Sequence, residues 1–473
     1  MVNDLFSVLT PHIIICLSIF LQALMGLIKS PRLVFKYKNI NIITSNLISI
    51  IAFVLTIISI AFLWKGELSF TQGIVVNPVA KTSSFLILFS AIITVLMNGN
   101  LLNENRQSCY KYHILLLTAV LGALISVCAN DFLTLFVALE TMSFSLYFLI
   151  AFSRGYSSKE ASFKYLITNS VSMALFLFGV SYLLGLSSSL NFDEIYQVLS
   201  GSTGGIFYSL ATLFIFFGLV MKLAIFPFAN WIIDVYAGME TSVLAFISSI
   251  PKVVIVCVLL NFLAGIFSFS LELNIVILLM AVITALWANI FAIKENNVKK
   301  ILACSSAANA SYMLIVMPLV PTSAYSAVIF YLSAYIVMNL GVWAYLNLLE
   351  PKLKNWKVDS LVRPNNIFLV SGFIVLMLGL AGLPISIGFV SKIYLLYSFL
   401  SSGIYYLPII FVMLGLFTMA LYYYIRLLRT VTNDYIDVKG GTTSFVVYLA
   451  GLITFILGIL PFGLISECIN LFN

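Results

Sequence analysis

Charge is what this sequence has least of. Only 9% of its 473 residues are Asp, Glu, Lys or Arg, against 62% hydrophobic, and the mean hydropathy is +1.12. A water-soluble domain cannot hide that much apolar surface, because its own surface grows too quickly with size. A soluble globular fold is therefore excluded. Histidine is nearly absent, confined to His12 and His113, and the six cysteines (Cys16, Cys109, Cys128, Cys257, Cys304, Cys468) are scattered without a CxxC pair. A zinc or iron–sulfur site has no ligand cluster to draw on, and the cysteines read as small apolar packers. Neither a Walker A run nor a strand–GxGxxG–helix unit occurs, so nucleotide binding has no support.

What is present is one apolar run after another. A helix needs about 20 apolar residues to cross a bilayer. The runs predict an all-α, polytopic membrane protein of about fourteen spans, near 10–28, 42–64, 82–101, 112–129, 131–152, 160–186, 204–226, 240–265, 272–293, 299–319, 322–348, 366–400, 405–428 and 443–466. The first run exceeds a typical signal h-region and follows Asp4 with no Lys or Arg, so it reads as a retained span.

The formal net charge of +7 invites a nucleic-acid reading, but its placement argues against one. Of 24 Lys and Arg, 18 fall in loops after odd-numbered spans and only Lys65 and Lys81 after even-numbered ones. That asymmetry is the positive-inside signal, and it puts the odd-numbered loops in the cytoplasm and both termini outside. No nucleic-acid partner is expected; the lipid bilayer is.

The remaining four basic residues, Lys164, Lys222, Lys252 and Lys392, lie inside spans, and Glu140 sits at the centre of NDFLTLFVALETMSFSLYFLIAF, residues 130–152. A carboxylate there costs about 2.5–3.5 kcal/mol by analogy with other charges at a helix centre. The plain alternative is that each lysine snorkels to an interface and the glutamate is a satisfied structural partner. For Lys164, within about two turns of a helix end, that alternative is preferred. The other four charges point to the bundle interior or a wet cavity, where ionisable groups mark ion or proton pathways. Burial disfavours a charged amine and a nearby carboxylate favours it, so such a lysine can alternate between holding and releasing a proton. Opposite charge makes Glu140 and Lys222 candidates for contact.

Proline breaks the seventh span at Phe226–Pro227–Phe228 and the twelfth at AGLPISIG, around Gly382–Leu383–Pro384. Each proline removes a helical hydrogen bond, and broken backbone at membrane depth is tolerated only where it is buried or lines a cavity. Lys222 lies five residues before Pro227 and Lys392 eight after Pro384. Five spans separate the breaks, and an odd offset inverts the second unit, so spans 4–8 and 9–13 read as two inverted five-helix repeats. The expected organisation is a single membrane domain over 1–473, with three N-terminal helices in 1–110, the first repeat in 111–268, the second in 269–430 and a last helix in 431–473.

These residues resemble subunit N of proton-pumping NADH–quinone oxidoreductase (respiratory complex I), the equivalent of mitochondrial subunit 2. The resemblance rests on residues 130–152, KEASFKYLITNSVSMALFLFG at 159–179, GLVMKLAIFPFANWIIDVYAG at 218–238, TSVLAFISSIPK at 241–252, NVKKILACSSAANASY at 297–312 and AGLPISIGFVSK at 381–392. It implies that Glu140, Lys222, Lys252 and Lys392 form a proton axis, with Lys164, Ser305, Ser306, Asn309 and Tyr312 in secondary positions. It also implies that NADH, FMN, iron–sulfur clusters and quinone are handled by other membrane and hydrophilic subunits, with no cofactor or metal in this chain, and that the membrane is the bacterial inner membrane or its mitochondrial counterpart. Two departures stand out. The family often has histidine where this chain has Ala229 and Asn309. Alanine cannot relay a proton, and asparagine can hydrogen-bond without titrating. Two other functions fit the same features: a subunit of a monovalent cation/proton antiporter, and a non-pumping scaffold within the same complex.

Overall fold

The computed structural model describes residues 2–28, 38–66, 68–70, 73–99, 102, 109–153, 155–200, 205–269, 271–319, 322–353, 355–429, 435–438, 441–461, 463, 465–466 and 468. Seventeen α-helices occur among them: α1 (Val2–Ile28), α2 (Lys38–Leu63), α3 (Pro78–Met97), α4 (Cys109–Cys128), α5 (Phe132–Ala151), α6 (Tyr156–Ser187), α7 (Phe192–Ser200), α8 (Ile206–Lys222), α9 (Asn230–Gly238), α10 (Thr241–Ala264), α11 (Leu271–Lys294), α12 (Val298–Val316), α13 (Thr322–Leu349), α14 (Ile367–Ala381), α15 (Ile387–Ser402), α16 (Leu407–Leu428) and α17 (Thr442–Ile459). Two small two-stranded pairings decorate the loops among the described residues. Strands β1 (Leu68–Phe70) and β2 (Ile74–Val76) form a hairpin, and β3 (Arg363–Pro364) lies parallel to β4 (Tyr435–Ile436).

Local chemistry sets where several spans begin. Asn77, Asp131, Asn297, Asn366 and Ser386 each cap the helix that follows, their side chains accepting a free backbone N–H of the first turn. Among the described residues eleven helices are long and apolar enough to cross a membrane unaided. The other three of the fourteen expected spans are the two broken ones, α8 with α9 and α14 with α15, and α12, whose SSAANAS stretch lowers its hydropathy. The protein is therefore an all-α, polytopic membrane protein with breaks in spans 7 and 12, as expected.

Three boundaries differ from expectation. The seventh span does not end at the proline. The chain turns through residues 223–229 and resumes as α9, a nine-residue half-helix whose Asn230 and Asp234 kept its hydropathy low. Helix α7 occupies what looked like a loop after the sixth span; its nine residues are too short to register as a span. And α1 starts at Val2, carrying Pro11 inside it. Of the basic residues behind the expected orientation, Lys29, Arg32, Lys36, Arg106, Arg154, Lys354 and Lys439 lie outside the described residues.

The helices cluster into two units. The first comprises Met1–Lys222 with Gly238–Leu273, the second Leu223–Ala237 with Asn274–Asn473. In the first unit α1 packs on α2 and α4, α4 on α5, α3 on α10, and α8 runs along α6. In the second, α13 packs on α15 and α17, and α14 on α17. Helix α10 is buried from Thr241 through Leu260, whereas α1, α2 and α6 leave rows of Leu, Ile and Phe exposed, as hydrocarbon-facing helices do. The α6–α8 contact is unusually close at Gly218, where a Cβ would stand 2.8 Å from the Phe176 nitrogen and the Ser172 carbonyl oxygen. Ser172 donates to the Gly218 carbonyl at 2.6 Å. Small residues that let backbones touch, with a hydroxyl across the seam, are how helices associate in lipid. One turn further along both helices, that seam brings Lys222 to Asn169.

Candidate functional site

Lys222 is the last residue of α8, and its side chain is buried. Its ammonium donates to Ser143 Oγ of α5 at 3.0 Å and to Asn169 Oδ1 of α6 at 3.1 Å. Glu140 precedes Ser143 by three residues, one helical turn, so it stands on the same stretch of α5. The two charges act on each other electrostatically, but the direct ion pair expected from opposite charge is not made. Glu140 is half-buried and its Oε1 is buried without a hydrogen-bond partner. The reason is geometric: α6 and α5 present neutral oxygens within reach of the amine, and these take two of its three donors.

Lys252 follows Pro251 in the middle of α10 and is 4% exposed. Pro251 lacks the N–H that would bond the carbonyl of Ile247, one turn before the lysine. Lys164 differs from these lysines. It lies on the outer face of α6, ion-paired with Glu160 at 2.9 Å, and both side chains are substantially exposed. An exposed i,i+4 pair contributes about 0.3–0.5 kcal/mol. Lys164→Gln is accordingly expected to leave both the quantity of assembled protein and its proton transport near wild type, measured side by side in the same membranes.

In the second unit, Lys392 of α15 folds back on the break. It donates to the carbonyls of Leu380, 3.1 Å, and Ala381, 2.8 Å, the last two residues of α14. Those carbonyls have no intrahelical donor because the helix stops there, and they form the negative end of the half-helix dipole. The ammonium also stands 4.9 Å from the centre of the Phe417 ring. Gly382 makes this possible. It adopts φ +80°, and a Cβ on it would lie 2.6 Å from Lys392 Cδ and 2.8 Å from Nζ. Ser386 then caps α15. The first break satisfies its backbone differently: the Phe226 N–H donates to Thr284 Oγ1 at 2.9 Å.

Ser305, Ser306, Asn309 and Tyr312 line buried faces of α12. Around them the structure gathers tyrosines that sequence reasoning missed. Tyr335 donates to Ser306 at 3.3 Å, and Tyr236 of α9 shares a hydrogen bond of 3.3 Å with the same hydroxyl. Tyr331 donates to Asn309 Oδ1 at 2.6 Å, while Asn309 Nδ2 reaches the Ser305 carbonyl, 2.7 Å, and Tyr424, 3.3 Å. Asn289 accepts from Tyr423 at 3.3 Å and donates to Tyr312 at 3.3 Å. Hydroxyls both accept and donate, so they can hand a proton on; an amide accepts on one atom and donates from another and does not titrate. Ala229 is buried and its side chain contributes no polar atom. The missed residues share one signal, a polar group inside an otherwise apolar span, which Ser143 and Asn169 also carry. Among the described residues no group of three or more His, Cys, Asp or Glu could hold a metal ion.

The model of the family described as "NADH:quinone oxidoreductase/Mrp antiporter, TM" matches residues 129–418, a stretch that contains Glu140, all of the buried span lysines and both breaks. NAD(P)H-quinone oxidoreductase subunit 2 of Synechococcus sp. (strain JA-3-3Ab) is 33% identical over 369 residues, covering 76% of this chain and 69% of that protein. NADH-quinone oxidoreductase subunit N of Pelagibacter ubique is 27% identical over 464 residues, covering 96% of this chain and 94% of its own. Among solved structures, a chain of respiratory complex I from Thermus thermophilus superposes with a TM-score of 0.80 at 24% identity, over 96% of this chain and 98% of that one. With its broken spans, its intramembrane lysines and a family match over more than half its length, this chain belongs to the NADH:quinone oxidoreductase/Mrp antiporter transmembrane family.

Proposed function

We propose that this chain is the subunit N-type, proton-translocating membrane subunit of an NADH–quinone oxidoreductase in the bacterial inner membrane. The observation that carries the reading is Lys222, a buried amine held by neutral oxygens one helical turn from an unpaired carboxylate oxygen of Glu140. When such an amine gives up its proton, Ser143 and Asn169 remain hydrogen-bonding partners for the neutral nitrogen. Lys252 and Lys392 are the further members of the axis, each buried inside a span. Lys392, bonded to two carbonyls at a helix end, is poised the same way: charge on it is favoured by the dipole and its loss is tolerated by a short turn. Ser305, Ser306 and Tyr312, with the tyrosines around them, carry protons between titrating groups by hydroxyl exchange, and Asn309 orients its neighbours without carrying one.

NADH, FMN, iron–sulfur clusters and quinone belong, in this reading, to other membrane and hydrophilic subunits of the complex. Co-purification tests it. Mild detergent extraction of the tagged chain should recover NADH-oxidising hydrophilic subunits. Recovery of a set of small antiporter proteins with no NADH oxidation would favour the cation/proton antiporter, which shares the family and the lysine–glutamate logic.

A further inference from the structure

Within the first unit, where α1 and α3 finish and α2 and α4 begin, Gln22, Asn46, Ser49 and Asn98 gather around His113 of α4. We infer that His113 is a neutral hydrogen-bond hub that registers the three N-terminal helices on α4, and that it keeps its proton instead of relaying it. The side chain is fully buried, and both ring nitrogens are engaged. Nδ1 lies 2.9 Å from Ser49 Oγ and Nε2 lies 2.8 Å from Asn46 Oδ1, both on α2. Residues three apart share a helix face, so one face of α2 grips both sides of the ring. An amide oxygen only accepts. Nε2 therefore carries the ring proton and donates it, while Nδ1 accepts from Ser49.

The other bonds fit that assignment. Gln22 of α1 donates to the Ser45 carbonyl at 2.8 Å and to Ser49 Oγ at 3.3 Å. Ser49 Oγ also lies 3.1 Å from the Ser45 carbonyl. With the Gln22 amide already on that carbonyl, the one hydroxyl proton is free to go to the imidazole. Asn98, the C-cap of α3, stands 3.4 Å from Nε2 but donates to Asn46 Oδ1 at 3.1 Å, and Asn46 donates back to Asn98 Oδ1 at 3.4 Å. Helices α1, α3 and α4 are thus each tied to Ser45, Asn46 or Ser49 of α2. Every group bonded to the ring is neutral. A second proton would place a charge among neutral partners, whereas the neutral ring already satisfies them. Hydrocarbon offers no substitute for a lost bond, and polar side chains between helices hold membrane bundles in register. His113 differs in this from Lys222, which lies within electrostatic reach of a carboxylate.

The test measures the quantity of assembled complex, and proton pumping per assembled complex, in the same membranes. His113→Leu ends both ring bonds and should lower the quantity assembled about fivefold. His113→Gln offers a donor and an acceptor on one amide and should restore at least half of that loss. Its pumping per assembled complex should match wild type at every pH tested, since no proton passes through the ring. If the leucine variant is too scarce to assay, Ser49→Ala breaks the Nδ1 bond and should lower assembly about twofold with pumping per complex unchanged. Assembly is read as the quantity of this chain in its complex, so that arm does not depend on the reaction the complex carries out. Normal assembly with leucine, or glutamine assembling no better than leucine, overturns the hub. Lower pumping per assembled complex in His113→Gln, or a shifted pH profile, would make His113 a proton carrier and overturns the inference as well.

Discussion

Lys222→Met is expected to lower proton pumping by the assembled complex on the order of tenfold or more while leaving assembly largely intact, since removing a positioned proton donor typically costs that much or more. Methionine keeps the apolar stem and cannot titrate. The hydroxyl of Ser143 and the amide oxygen of Asn169 lose a donor, but both are neutral, so no buried charge is left on them. Lys222→Arg should impair pumping as well. A guanidinium stays charged throughout any cycle, and its planar fork does not reproduce the bonds of 3.0 and 3.1 Å that the amine makes to those two oxygens. A purely structural charge partner for Glu140 gives the opposite pattern: arginine is tolerated, and methionine fails to assemble because a buried carboxylate has lost its counter-charge. Pumping and assembled complex would be measured for both variants in the same membranes. Normal pumping with arginine together with poor assembly with methionine would leave the scaffold reading standing.

Gly382→Ala is expected to disrupt the second break. At φ +80° a non-glycine residue costs about 1–2 kcal/mol, and its methyl would occupy the space of Lys392 Cδ, 2.6 Å away. Lys392 must then withdraw from the carbonyls of Leu380 and Ala381, forfeiting two charge-assisted hydrogen bonds of about 1.5–3 kcal/mol each. Less assembled subunit and little pumping are the expected result. Combining it with Lys392→Ala separates the two causes. The shortened side chain removes the clash, so assembly should recover by most of its loss, while pumping stays low because the amine is gone. If the double variant assembles no better than Gly382→Ala alone, backbone strain rather than the lysine contact governs this turn. If Gly382→Ala pumps normally, the close approach has no functional weight.

Much of this protein was legible from its residues because a bilayer imposes a simple rule. Every backbone group must be satisfied within a helix, so apolar length alone marks a span. The twelve unbroken spans and the two prolines could be read that way. The second half of the seventh span could not, since α9 is a nine-residue helix carrying Asn230 and Asp234; hydropathy sees polarity there, while burial of Ile232, Val235 and Tyr236 is what keeps it helical. Likewise Glu140, Lys222, Lys252 and Lys392 announced themselves by cost. An ion in an apolar run demands an explanation that a serine or asparagine does not.

The partners of those ions were decided by tertiary structure. Glu140 and Lys222 have opposite charges, and charge alone joins them; the close α6–α8 seam at Gly218 instead delivers the amine to Asn169 and Ser143. Tyr236, Tyr331, Tyr335, Tyr423 and Tyr424 read as ordinary aromatic residues, yet packing in the second unit turns their hydroxyls onto Ser306, Asn309 and Asn289. The sequence by itself determined that the chain crosses a membrane many times, where its helices break and which residues carry buried charge, because each of these follows from local chemistry set against hydrocarbon. Only the tertiary structure decided which neutral groups hold Lys222 and Lys392. Hydrogen bonds between helices depend on how closely two backbones approach, and that distance is set by side chains far apart in the sequence.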